Sequence, residues 1–130
     1  MREAQPEKSM HIGEVADRTE MSLRSLRHYD EIGLLRPSAR SEGGFRLYKE
    51  DDVEKLLVIW RMKPLGFSLD EMLEVMKTIE AMRLPEAPDA SLRTRLSQII
   101  EQATGRRGRL RSQLPMADEF IDLLHQEIRR

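Results

Sequence analysis

The chain has 130 residues, room for one ordinary domain or for a small domain with an extended arm. It holds no cysteine, which excludes disulfides and thiolate metal sites, and no run approaches the roughly eighteen apolar residues of a membrane span. The formal net charge is −1, but the stretch from Arg18 to Lys49 carries seven Lys/Arg against four Asp/Glu. The acids gather instead at Glu50, Asp51, Asp52 and Glu54 and at Asp70, Glu71 and Glu74. Those are the starts of predicted helices, where the helix dipole favours negative charge. A basic docking face is therefore compatible with the near-neutral total, and a cytoplasmic location is expected.

Residues 1–9 are polar, lack the apolar core of a secretory signal, and read as a disordered tail. A first helix is expected from Ile12 to Arg18, with Ile12, Val15 and Ala16 on one face. Thr19-Glu20-Met21 makes the turn, and Ser22 is placed to cap a second helix from Leu23 to Ile32. In that helix Leu23 and Leu26 are expected to point inward with Tyr29 nearby, leaving Arg24, Arg27 and His28 on exposed flanks. The Tyr29 ring either packs the helix pair or carries its hydroxyl to a phosphate. Gly33 suits a left-handed helix end, and Pro37 stops the helix from resuming. Residues 38–48 read as a hairpin turning at Glu42-Gly43-Gly44. Strand alternation then predicts Phe45 and Leu47 inward, with Arg46 and Tyr48 on a basic-aromatic outer face. Helix, tight turn, arginine-bearing helix and a wing with Arg40 and Arg46 on its two arms suit duplex DNA. The second helix fits a major groove, and the wing fits the backbone beside it.

A third helix is expected from Glu50 to Lys63, burying Val53, Leu56, Leu57 and Trp60; Pro64 and Gly66 end it. Ser68-Leu69-Asp70-Glu71 reads as a capping box opening a fourth, whose apolar face is Leu69, Met72, Val75, Met76 and Ile79. Residues 81–91 are a linker containing Pro85 and Pro88. Beyond it Leu92, Leu96, Ile99, Ala103, Leu110, Ala117, Phe120 and Leu124 fall on one heptad seam, with Arg106 and Gln113 at two seam positions between them. So narrow a stripe needs a partner helix, and no other predicted element is long enough to supply it. A homodimer through a parallel or antiparallel helix pair is expected. Gly105, Gly108 and Pro115 weaken the arm, and Pro115 is expected to divide it into a long helix and a short terminal one.

No catalytic constellation is present: no phosphate-binding glycine loop, no nucleophile with a matching base, no carboxylate pair away from helix starts. The chain does not read as an enzyme and calls for no cofactor. His11, His28 and His125 are scattered and make no metal site. The basic run from Arg106 to Arg111 reads as a solvated helix face. Trp60, Met72, Met76 and Met82 are candidates for the apolar wall of a small organic effector site, against the plainer reading of core packing.

Several linked motifs, in order, carry a resemblance: IGEVA at 12–16, LRHYDEIGLL at 26–35, GGFRLY at 43–48 and PLGFSLDEM at 64–72. Over residues 12–80 the chain resembles the MerR family of bacterial transcription regulators. The resemblance implies a mainly α fold, with a winged helix-turn-helix head at 10–80, a linker at 81–91 and a dimerisation arm at 92–130 that pairs as an antiparallel coiled coil. It implies a homodimer on a pseudo-palindromic promoter operator, bending and untwisting double-stranded DNA so that RNA polymerase can use it. By position, Ser22, Arg24, Arg27, His28 and Tyr29 match the recognition helix, and Arg40, Arg46 and Tyr48 the wing. Lys63 matches a smaller second wing on the backbone. Leu92, Leu96, Ile99, Ala103 and Leu110 are the expected dimer seam. Glu20 stands where the turn usually has glycine, and Lys49 where a Ser or Thr cap is common. With no cysteine, and no room after Leu124 for a drug-binding domain, the usual effector signatures are missing. Two rival readings share the head: an architectural DNA-bending protein without signal input, and a protein-interaction module that has lost DNA binding.

Overall fold

The structure, a computed structural model, describes residues 8–130, so nearly all of the tail expected at 1–9 lies outside the described residues. In chain order the elements are β1 (Met10–His11), α1 (Ile12–Thr19), α2 (Leu23–Glu31), β2 (Ala39–Arg40), β3 (Arg46–Tyr48), α3 (Glu50–Met62), α4 (Leu69–Met82) and α5 (Ala90–Ile128). The fold is mainly α, with a small winged helix-turn-helix head and a long C-terminal helix. The chain divides into two compact units at Lys77/Thr78, inside α4.

The turn between α1 and α2 is fixed by local chemistry. Buried Thr19 donates its hydroxyl to the Val15 carbonyl (2.8 Å) and accepts the Met21 N–H (3.3 Å). Glu20 closes α1 in the left-handed conformation at φ 58°, the only non-glycine with positive φ among the described residues. A side chain there costs roughly 1 kcal/mol relative to glycine. Glu20→Gly should therefore raise stability only slightly, by at most about 0.5 kcal/mol, because the looser unfolded chain offsets most of the relieved strain. Denaturant unfolding checks it; a midpoint lowered by the full unfolded-chain cost would mean that the turn carries no strain.

Ser22 caps α2 as expected: its Oγ accepts the Ser25 N–H at 3.0 Å. Gly33, at φ 76°, ends the helix, and the N–H groups of Leu34 and Leu35 both return to the Tyr29 carbonyl. Leu26 and Tyr29 are buried, but Leu23 is exposed and does not point inward. The helix turns 100° per residue, which puts Leu23 on the flank between the buried and exposed faces.

The wing is a three-stranded antiparallel sheet in the order β1-β3-β2, with Met10 opposite Tyr48 and Ala39 opposite Leu47. The hairpin closes through Gly44 N–H to the Ser41 carbonyl and Ser41 N–H to the Phe45 carbonyl, each 2.9 Å. Two of its residues take the reverse of their expected places. Tyr48 is wholly buried (0 % exposed), while Phe45 is 68 % exposed. Arg46 and Leu47, expected on opposite faces, are both half-buried, so burial does not alternate cleanly along β3. β1 supplies the reason for Tyr48: Met10 is its cross-strand partner, and both are buried. The reason for Arg46 lies on α2 and is given below.

Lys49, the unusual residue before α3, makes no side-chain cap. Asp52 replaces it. Its buried carboxylate accepts the Lys49 N–H (2.9 Å), the Ser38 N–H (3.2 Å) and the Ser38 hydroxyl, tying the wing's first residue to the start of α3. The buried face of α3 is Val53, Leu56, Ile59 and Met62, with Leu57 half-buried and Trp60 45 % exposed. The expected stripe through Leu57 and Trp60 is thus rotated toward an i, i+3 row, and α3 packs on α1. The Ser68–Glu71 capping box of α4 forms at 2.8 and 3.2 Å, and Met72, Val75 and Met76 are buried.

Within the second unit α5 starts at the Asp89 cap, whose carboxylate accepts the Leu92 N–H at 2.8 Å. It runs 39 residues, about 58 Å at 1.5 Å per residue, and Pro115 lies inside it. The expected division at Pro115 does not occur. A proline removes one backbone hydrogen bond at a cost of about 3 kcal/mol, and the turns on both sides keep theirs. No residue of α5 is buried. Leu92, Leu96, Ile99, Ala103 and Arg106 are half-buried; Leu110 and the apolar residues beyond it are exposed.

Candidate nucleic-acid interface

One face of α2 is exposed and carries two arginines and a histidine. Arg24, Arg27, His28 and Glu31 stand at i, i+3, i+4 and i+7 and are all exposed. The opposite face carries buried Leu26 and Tyr29, which fix the helix to the head. Together with Ser25, the four exposed residues border an open depression of about 570 Å³. Ser22 lies exposed at the N-terminus of the same helix, its Oγ engaged with Ser25. The structure therefore presents Arg24, Arg27 and His28 together, as the sequence indicates.

Of three further expected contact residues, Tyr48 alone departs from its expected place. Tyr29 is buried, its ring under the Lys63 ammonium at 5.8 Å from the centroid, so of its two readings packing is the one its placement supports. Lys63 itself is exposed, at the C-terminus of α3. Tyr48 is not on the outer face. Its hydroxyl is buried without a hydrogen-bond partner, and burial raises its pKa. Tyr48→Phe should therefore leave DNA affinity unchanged and should stabilise the head by up to about 1 kcal/mol, since an unsatisfied buried hydroxyl is a cost. A mobility-shift titration paired with thermal unfolding checks both. A weakened complex from a stable variant would restore Tyr48 to the interface.

Arg40 and Arg46 converge on one acid that sequence reasoning passed over. Asp30, near the end of α2, accepts Arg40 Nη2 at 2.8 Å and Arg46 Nε at 2.7 Å on the same oxygen, Oδ2. Arg40 Nη1 also reaches the Gly44 carbonyl at 3.3 Å. The Asp30 side chain is 10 % exposed, against 49 % for Arg40 and 23 % for Arg46. Burial pushes the Asp30 carboxyl up, but the Arg46 and Arg40 guanidiniums outweigh it and hold it below the usual carboxylate range. The inward turn of Arg46 is thus compensated by a charge from another element. A sequence signal existed: Asp30 lies in the same motif as Arg27 and Tyr29, one residue past the buried tyrosine.

The effector-wall candidates do not form one exposed surface. Met72 and Met76 are core residues, whereas Trp60 is exposed on α3. Met82 is half-buried at the end of α4, in the second unit. Among the described residues no group of three His, Asp or Glu side chains is arranged to hold a metal ion, and no helix is long and apolar enough to cross a membrane.

A two-helix turn unit with a capped, arginine-faced second helix and an adjoining three-stranded wing defines a winged helix-turn-helix head. Residues 10–79 match the model of the MerR HTH family regulatory protein, and the chain belongs to that family of bacterial transcriptional regulators. These are DNA-binding proteins without catalytic activity. The chain is 45 % identical over 76 residues to the HTH-type transcriptional regulator YfmP of Bacillus subtilis (strain 168), covering 58 % of this chain and 54 % of that protein. It is 32 % identical over 114 residues to the HTH-type transcriptional activator TipA of Streptomyces coelicolor (strain ATCC BAA-471 / A3(2) / M145), covering 88 % of this chain and 42 % of that one. It spans about half the length of these relatives. A MerR-family regulator from Bacillus cereus superposes with a TM-score of 0.65 at 28 % identity, over 92 % of this chain and 79 % of the other. The MerR family regulator HiNmlR, described as lacking the sensor domain and bound to promoter DNA, shares the fold with a TM-score of 0.67 at 24 % identity, over 93 % and 88 % of the two chains.

Proposed function

We propose that this chain is a homodimeric regulator of transcription that reads a pseudo-palindromic operator in double-stranded promoter DNA. The observation that carries it is the exposed face of α2, with Arg24, Arg27 and His28 opposite the buried Leu26 and Tyr29. A helix fixed on one side and basic on the other can enter a major groove without unfolding anything. Ser22 and the helix N-terminus lie at the leading end of that face, and the wing lies against the backbone beside the groove. Lys63 is a further backbone contact. Residues 10–80 form the reading head, 81–91 the linker and 92–130 the arm.

Pairing through Leu92, Leu96, Ile99, Ala103 and Leu110 as an antiparallel coiled coil sets the two heads on half-sites. The support is that α5 is long, apolar along one seam and without a buried residue. Bending and untwisting of the DNA between half-sites, and presentation of the promoter to RNA polymerase, belong to the same reading through the family. A small organic effector acting at Trp60 also belongs to it. Compound titration followed by Trp60 fluorescence and operator affinity together tests that part, and no response in either removes it. The architectural rival shares the head but has no use for a 39-residue arm. The interaction-module rival gives no reason for three exposed basic or titratable side chains on one helix face.

The test is selection of duplexes from a random-sequence pool by the full chain, followed by footprinting on genomic DNA. Enrichment of a two-fold-related site within promoters is expected. No enriched sequence, with DNA binding absent or insensitive to salt, would overturn the reading.

A further inference from the structure

We propose that Asp30 is a positioning residue that pins both wing arginines to the recognition helix, so that Arg40 and Arg46 set the wing's geometry instead of acting as free phosphate contacts. The inference rests on the DNA-binding reading and refines it. A single carboxylate oxygen takes a guanidinium from each arm of the hairpin, at 2.8 and 2.7 Å. It comes from the helix whose neighbouring residues Arg27, His28 and Glu31 line the exposed face. The wing is thereby fixed in register with the groove-entering surface before DNA arrives. Arg40 is held from a second side by the Gly44 carbonyl, in the wing's own turn.

The charge consequence is the useful one. Two arginines facing a phosphate backbone would release counterions on any sequence and strengthen non-specific binding. Tied to Asp30, they bring a net charge of about one between them, and an acid stands close to the backbone's path. Asp30 thus lowers the affinity that any duplex can have while preserving the alignment that a particular duplex needs. Genomic non-specific sites compete in vast excess, so the ratio of the two affinities is what matters for regulation.

The experiment measures affinity of the full chain against salt for two probes: the duplex selected by the wild-type chain, and a random-sequence duplex of equal length. Four proteins are compared: wild type, Asp30→Asn, Arg40→Ala and the double variant. Asp30→Asn should steepen the log–log salt slope on random-sequence DNA by about one to two, since each freed guanidinium adds a slope of roughly 0.9. The affinity ratio between the two probes should fall by about tenfold. Arg40→Ala should change the random-sequence slope by well under one in the wild-type background and by about one in the Asp30→Asn background. A purely structural acid would alter stability and leave these slopes alone. An unchanged slope and ratio in folded Asp30→Asn overturns the proposal. So does a full unit of slope lost in Arg40→Ala alone, a measurement that stands even if Asp30→Asn does not fold. If the wild-type chain selects no duplex, the DNA-binding reading fails instead, which separates the two failures.

Discussion

A chain carrying Leu96→Glu together with Leu110→Glu should sediment as a monomer and lose about 10²–10⁴ in affinity for a two-half-site duplex. The helix that bears these residues has no buried position in 39, and its seam residues are at best half-buried. An isolated helix exposed all round gains little from its own backbone; helices in proteins are stabilised mainly by packing an apolar face. The apolar face of α5 also widens toward its C-terminus, where Leu114, Met116, Phe120, Ile121, Leu123, Leu124 and Ile128 are all exposed. A partner helix is the simplest cover for such a surface. Charges introduced at 96 and 110 would stand unpaired in a dry seam, where burial costs several kcal/mol each. In the separated chain both positions reach water, so the heads should remain folded, with an unchanged head unfolding transition. Gln98→Glu with Ser112→Glu adds the same charge at exposed, off-seam positions and should leave the dimer intact. A double seam variant that still sediments as a dimer would place the interface elsewhere. A monomer that binds the full site as tightly as wild type would refute the linkage of two heads.

What the sequence disclosed about this head was what neighbouring residues decide. Ser22 over Ser25, Gly33 after α2, the Ser68–Glu71 box and the turn at Gly44 are contacts within a few residues, so their chemistry is written in the string. The basic face of α2 was equally legible, because spacing alone separates Arg24, Arg27 and His28 from Leu26 and Tyr29. The wing's orientation was not. Hydropathy puts Phe45 and Leu47 inside and Arg46 outside, unless a partner far along the chain can neutralise the arginine, and Asp30 is 16 residues away. Tyr48 was misplaced for a related reason. The strand beside it, Met10–His11, is two residues long and pairs with β3 from far along the chain. At Lys49 the unusual cap residue is visible in the string, but the role of Asp52 is not, because its carboxylate also serves Ser38, 14 residues before it, and so depends on the fold. Pro115 shows the opposite error. A strong local rule predicted a break, and the helix tolerates the residue.

Arg27→Ala should weaken binding to the selected duplex by about 1–3 kcal/mol, roughly 5- to 150-fold, and should relax the preference at one base pair in each half-site. Arg27 belongs to the exposed face of α2, between Arg24 and Glu31 along the helix, and is free to project into a groove when Leu26 and Tyr29 face the head. A guanidinium in that position can donate two parallel bonds to a guanine edge, a geometry an ammonium does not reproduce. Arg27→Lys should therefore retain the salt slope and still lose much of the sequence preference. The substitution to alanine should not unfold the head, because Arg27 is exposed and alanine favours the helix. Arg27→Ala and Arg27→Lys, titrated on the selected and random-sequence duplexes, distinguish the roles. A loss confined to the selected duplex makes Arg27 a base reader. An equal loss on both makes it a phosphate contact and moves the specificity to Arg24 or His28. No loss on either duplex would mean that this face of α2 does not enter the groove, and the orientation proposed for the whole head would have to be abandoned.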